Sequence, residues 1–111
     1  MSKLKKVHIS DLKDEKGIRI VLFFHPRSAI CRIFEPQFVE LVSSQNLGDL
    51  AIMVDTTGYE DLAKSYGVLG VPAVALWQNG GAREWVFGAQ KIEVFNETLN
   101  HWKTILSADN E

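Results

Sequence analysis

The chemistry-bearing residues gather in one short stretch, His25-Pro26-Arg27-Ser28-Ala29-Ile30-Cys31-Arg32. It holds a thiol, a hydroxyl, an imidazole and two guanidinium groups. Cys31 is the chain's only cysteine, so no internal disulfide can form within these 111 residues. Disulfide exchange needs a thiolate that attacks and a second thiol that resolves the mixed disulfide. Cys31 alone can do no more than pair with a partner's thiol. A helix N-terminus and nearby cations such as Arg27 and Arg32 make a thiol reactive, whereas apolar burial beside Ile30 and Phe34 makes it inert. The sequence leaves both roles of Cys31 open.

Ser28 as a catalytic nucleophile would need an oriented base beside it. His25 is three residues away across Pro26, and no acid partner is evident. Helix N-cap is the plainer role for Ser28. His8, His25 and His101 are scattered, and with one cysteine they give no metal-ligand spacing. The glycines punctuate turns and form no phosphate-cradling loop. Neither a cofactor nor a metal is expected.

These residues have to be positioned by the elements around them. Ile18–Phe24 is a β-branched and aromatic run, read as a buried central strand. A helix then starts near Ser28, with Ile30, Ile33, Phe34, Phe38 and Leu41 on one face and Pro36 expected to kink it. Before the central strand come a short strand Val7–Ile9 and a brief helix over Asp11–Lys16, capped by Ser10 and ended by Gly17. After the helix come a strand Leu50–Val54, a turn at Thr56–Tyr59 and a short helix Glu60–Tyr66 ended by Gly67. Val71-Pro72 opens a strand over Ala73–Gln78, where proline is tolerated. Asn79-Gly80-Gly81 turns the chain into an antiparallel partner, Arg83–Phe87. A last helix, Gln90–Leu106, carries Ile92, Phe95, Leu99, Trp102 and Ile105 on one stripe. Trp77, Trp85 and Trp102 read as core or half-buried packing residues.

The order is β α β α β α β β α. Its alternating first half implies parallel strands, its end a hairpin and a helix. Strands apolar on both faces require helices on both sides of the sheet. The expected architecture is an α/β domain with a central mixed sheet, spanning residues 7–106, with loose tails at 1–6 and 107–111. Net charge is −2, which gives no broad field to attract nucleic acid or an anionic membrane. The lysines at 3, 5 and 6 read as a solvated start. Ser2–Lys6 is polar and unlike a signal peptide, and no run is long and apolar enough to span a bilayer. A cytoplasmic location is expected.

The order and motifs together resemble the thioredoxin family over Val7–Leu106. The strand Val21–Phe24, the loop after it, Cys31, Arg32 and Pro36 follow the layout of that family's active-site loop. Val71-Pro72 falls where the family keeps a cis-proline facing the loop, and Gly80 and Gly88 fall at its hairpin and before its last helix. By this resemblance the family's CxxC reads here as Ser28-Ala29-Ile30-Cys31, an SxxC in which the attacking cysteine is a serine. The family's tryptophan before that cysteine is Arg27. Its buried aspartate and partner lysine, which manage the second thiol's proton, become Leu22 and Ala51. An ordinary dithiol–disulfide oxidoreductase is therefore not expected.

The resemblance also implies a groove. Family members use the backbone before the cis-proline to pair with an extended partner segment, a form of strand addition that needs no cysteine. Arg27, Ser28, Val71 and Pro72 would form that surface. The expected role is a module binding extended or partly folded protein segments in a chaperone- or assembly-type role; the alternative is a monothiol redox protein acting through mixed disulfides at Cys31, and a third reading is a structural subunit of a larger assembly. The partner's identity and the oligomeric state are not written in the sequence.

Overall fold

A computed structural model describes residues 4–88 and 91–109 of the chain. Its organising element is β2, Ile18–Phe24, with Ile20, Val21, Leu22 and Phe23 all wholly buried. A strand apolar on both faces cannot sit at an edge or meet water, so it takes neighbours on either side and helices above and below. Around it lie β1 (Lys5–His8), β3 (Ala51–Asp55), β4 (Ala73–Gln78) and β5 (Gly81–Phe87). Among the described residues the sheet runs β1-β3-β2-β4-β5. The β1–β3 and β2–β3 pairs are parallel, while β2–β4 and β4–β5 are antiparallel. Asn79 at φ 54° and Gly80 at φ 88° form the tight hairpin between β4 and β5, both in the left-handed region such a turn demands.

Two cores result. Ile20, Leu22 and Val74 face α1 (Ala29–Ser44) and α3 (Ile92–Asp109), packing with Phe34, Phe38, Phe95 and Trp102. On the other face Val21, Phe23, Ala75 and Trp77 pack under a 3-10 helix, Ile9–Asp14, and under α2 (Glu60–Ser65). Trp77 and Trp102 are buried and Trp85 is half-buried. No helix among the described residues is long and apolar enough to cross a membrane.

Several local expectations are corrected. The first strand starts at Lys5, inside the stretch read as a tail. Lys5 and Lys6 pair with Ile52 and Met53 through backbone groups while their side chains stay exposed, and pairing of that kind leaves no hydrophobic signature. The 3-10 helix is capped by His8 and not by Ser10: the His8 Nδ1 accepts the Ser10 N–H at 3.2 Å. Its Nε2 lies 2.8 Å from the Thr57 carbonyl. A carbonyl can only accept, so Nε2 carries the proton and Nδ1 is left free to cap. At the other end α3 runs to Asp109, past the expected stop at Leu106. Residues 1–3, 89–90 and 110–111, which hold part of each expected tail and the expected start of the last helix at Gln90, lie outside the described residues.

The expected face of α1 is rotated. Its buried residues are Cys31, Phe34, Phe38 and Val42. Ile30 is 54 % and Ile33 67 % exposed. Phe34 and Phe38 set the register, and the neighbours of Cys31 and Phe34 fall about 100° around the helix, out of the core. Pro36 lies on the exposed side of the same helix.

Candidate functional site: a groove beside a buried thiol

The site lies at the end of β2. Past Phe24 the chain makes a tight turn in which the Ser28 N–H donates to the His25 carbonyl at 3.0 Å. The Arg27 N–H donates to His25 Nδ1 at 3.1 Å. Ser28 then starts α1: its Oγ accepts the Cys31 N–H at 3.2 Å, satisfying a donor that the first helical turn would leave orphaned. Both side chains are thus committed to holding the turn. Ser28 is a helix cap, with no hydrogen bond to His25's ring among the described residues.

Cys31 lies beneath this cap and is 0 % exposed. It belongs to the core that also holds Leu22, Ala51 and Phe34, and among the described residues no charged side chain is buried. Among the described residues no cluster of His, Cys, Asp and Glu is placed to hold a metal ion.

The opposite wall comes from the segment between α2 and β4. Gly67, at φ 100°, turns the chain out of α2 with its Cα against the Trp85 indole; a Cβ there would sit 3.2 Å from the ring. Val68 tucks into the core, and Leu69 stands 81 % exposed. The Val71–Pro72 peptide is cis. The Pro72 carbonyl accepts the Gly88 N–H at 2.9 Å, tying this segment to the end of β5. Among the described residues the backbone N–H and C=O groups of Leu69, Gly70 and Val71 have no hydrogen-bond partner.

That unpaired backbone is a ridge between two depressions. On one side a cavity of about 420 Å³ is walled by Arg27 and Ser28 opposite Val71, with Thr56, Ala63 and Lys64 closing it. On the other, one of about 400 Å³ opens toward Phe87 and Gly88. Of the residues expected to form the binding surface, Arg27, Ser28 and Val71 share the first cavity. Pro72 does not line it; it is buried behind Val71. Cys31 does not line it either. The sequence reading missed Leu69, Thr56 and Lys64. Leu69 alone carried a signal, as a large apolar residue in the turn between Gly67 and Gly70.

Thr56 is held to the wall by two bonds to the Phe24 carbonyl, from its N–H at 3.1 Å and its hydroxyl at 3.0 Å. The adjacent Asp55 closes the turn by accepting the Thr57 N–H at 2.8 Å and its hydroxyl at 2.6 Å. Burial works against ionisation of Asp55, but these two bonds, with a smaller coulombic contribution from His8 and His25, outweigh it and hold its pKa below the usual aspartate value.

The family model described as Thioredoxin matches residues 2–101. The chain belongs to the thioredoxin family. It is 26 % identical over 89 residues to Thioredoxin H2 of Arabidopsis thaliana, a match covering 80 % of this chain and 66 % of that protein, just under two thirds of the relative's length. Among solved structures it superposes on the thioredoxin of Malassezia sympodialis with a TM-score of 0.71, 19 % identity and coverage of 91 % of this chain and 92 % of that one. The oxidised thioredoxin of Plasmodium falciparum gives 0.71 at 17 % identity, covering 90 % and 98 %. The oxidised mitochondrial thioredoxin 3 of Saccharomyces cerevisiae gives 0.69 at 15 %, covering 88 % and 94 %. At these identities the likeness to the solved structures is one of fold. This thioredoxin-family chain carries a single thiol, and that thiol is enclosed.

Proposed function

We propose that this thioredoxin-like protein binds extended or partly folded protein segments, in a chaperone- or assembly-type role, and does not turn over as a dithiol–disulfide oxidoreductase. One observation carries the reading: the unpaired backbone of Leu69-Gly70-Val71 runs between two open depressions, opposite Arg27 and Ser28. Exposed, unpaired N–H and C=O groups are a template on which an extended chain adds as a strand, and flanking depressions take its alternate side chains. Exposed Ile30 and Ile33 widen the apolar surface on the α1 side of the loop.

The thiol chemistry is disfavoured on separate grounds. By family resemblance Ser28 occupies the attacking-cysteine position, and a hydroxyl cannot form the mixed disulfide. Leu22 and Ala51, which by the same resemblance replace the family's proton-handling pair, offer Cys31 only methyl and methylene groups. Full enclosure keeps a partner's sulfur away from Cys31 unless the α1 terminus opens.

Amide hydrogen exchange tests the reading. With a permanently unfolded, carboxymethylated protein added in excess, exchange at Leu69, Gly70 and Val71 slows, while the core strands are unchanged. Binding without protection of those amides, or no binding, overturns it.

A further inference from the structure

We infer that the groove selects segments in which a large apolar side chain is flanked, two residues away on either side, by carboxylates. The inference rests on the groove reading above and adds the chemistry of the occupant. The cavity beside Val71 has an apolar floor, Ala63 and Val68, both buried. Its rim carries two exposed cations from different elements, Arg27 on the β2–α1 turn and Lys64 on α2. Neither has an ion-pair partner among the described residues. Two cations on the far end of the sheet are paired by contrast: Lys5 meets Glu15 at 2.8 Å, and Arg19 meets the same carboxylate at 3.7 Å. One rim anion, Glu60, stands a turn before Lys64. The rim is therefore net cationic on a chain whose net charge is −2.

Strand geometry converts this into a pattern. A segment paired with Leu69–Val71 sends alternate side chains to opposite sides. An apolar one that drops onto Ala63 and Val68 has same-side neighbours at two residues before and after, about 6.6 Å away along the strand. Those neighbours reach the rim rather than the floor, where Arg27 and Lys64 stand without partners. Carboxylates there gain two partly exposed ion pairs; lysines there meet like charge.

The test uses three end-capped, fluorescein-labelled peptides with the cores Glu-Ser-Phe-Ser-Glu, Gln-Ser-Phe-Ser-Gln and Lys-Ser-Phe-Ser-Lys, titrated by anisotropy. The acidic peptide binds about tenfold tighter than the basic one, the neutral peptide falls between, and the spread narrows in about 1 M salt. The double variant Arg27→Glu, Lys64→Glu reverses the order; both side chains are exposed, and near-ultraviolet circular dichroism confirms that its tryptophans remain packed. Equal binding of the three peptides to the wild type, or an unreversed order in the double variant, removes the charge preference and leaves the groove reading standing. No binding of any peptide overturns both.

Discussion

The hydroxyl oxygen of Ser28 accepts the backbone N–H of Cys31 at 3.2 Å, so the residue at the mouth of the groove is also the one that closes the helix over the thiol. Binding surface and sulfur are thus neighbours in sequence yet separated by burial. Ser28 and Arg27 face the cavity, whereas Cys31 points into the core with Phe34 and Leu22.

Removing the cap loosens this arrangement. Ser28→Ala leaves the Cys31 N–H without its acceptor and costs about 1 kcal/mol of stability, read from urea unfolding followed by tryptophan fluorescence. Ser28→Asp keeps an acceptor and recovers most of the loss. A Ser28→Ala variant as stable as the wild type would mean that water replaces the hydroxyl at no cost.

The enclosure of Cys31 sets its reaction rate. With no exposed surface, the thiol meets a labelling reagent only when the helix terminus or the whole domain opens. Labelling of the native protein is expected to be slower than in denaturant by on the order of a hundredfold or more. Urea below the unfolding transition should accelerate it. A native rate equal to the denatured rate would restore the mixed-disulfide reading.

What could be read from the sequence follows from where burial is two-sided. Ile18–Phe24 and Ala73–Gln78 match their expected bounds because a strand enclosed on both faces leaves a continuous apolar run. Signals failed where one backbone or one odd side chain decides. Lys5 and Lys6 pair through main-chain groups alone, and His8 caps with a ring nitrogen where an oxygen is usual. Ile30 and Ile33 look like core residues but sit a third of a turn off the Phe34–Phe38 face. The groove was half legible. Arg27, Ser28 and Val71 were visible through a motif, while Lys64 and Thr56 reach the same cavity from β3–α2, which only the tertiary crossover brings near.

Leu22 tests whether the apolar surrounding of the thiol is built in. It is wholly buried, paired in register with Met53 and Val74 on the neighbouring strands. Leu22→Asp places a carboxylate among these side chains, with no buried cation among the described residues, which costs at least about 3 kcal/mol at neutral pH. The companion change Ala51→Lys, on β3 in the same core, should recover part of that loss if the two new charges can meet. Leu22→Asn, similar in shape but uncharged, should cost less than Leu22→Asp. Equal loss from both would assign the damage to packing rather than to charge.

Asp55 makes the turn beside the cavity sensitive to acid. Its pKa is held below the ordinary 3.8 by the Thr57 bonds and the two histidines, against the effect of burial. A carboxyl with a depressed folded-state pKa stabilises the fold fully above its unfolded value, and that contribution is lost as pH falls from just under 4 through the lower folded value. Asp55→Asn removes the ionised acceptor at every pH. The variant should therefore be less stable than the wild type near neutral pH, by less than about 1 kcal/mol because solvent reaches the group. The two proteins should converge in strong acid, where both carry a neutral side chain. Urea unfolding of both proteins across that range measures the difference directly. A gap that persists undiminished below the folded pKa would mean that Asp55 acts through shape alone, and that the histidines and Thr57 do not bias its charge.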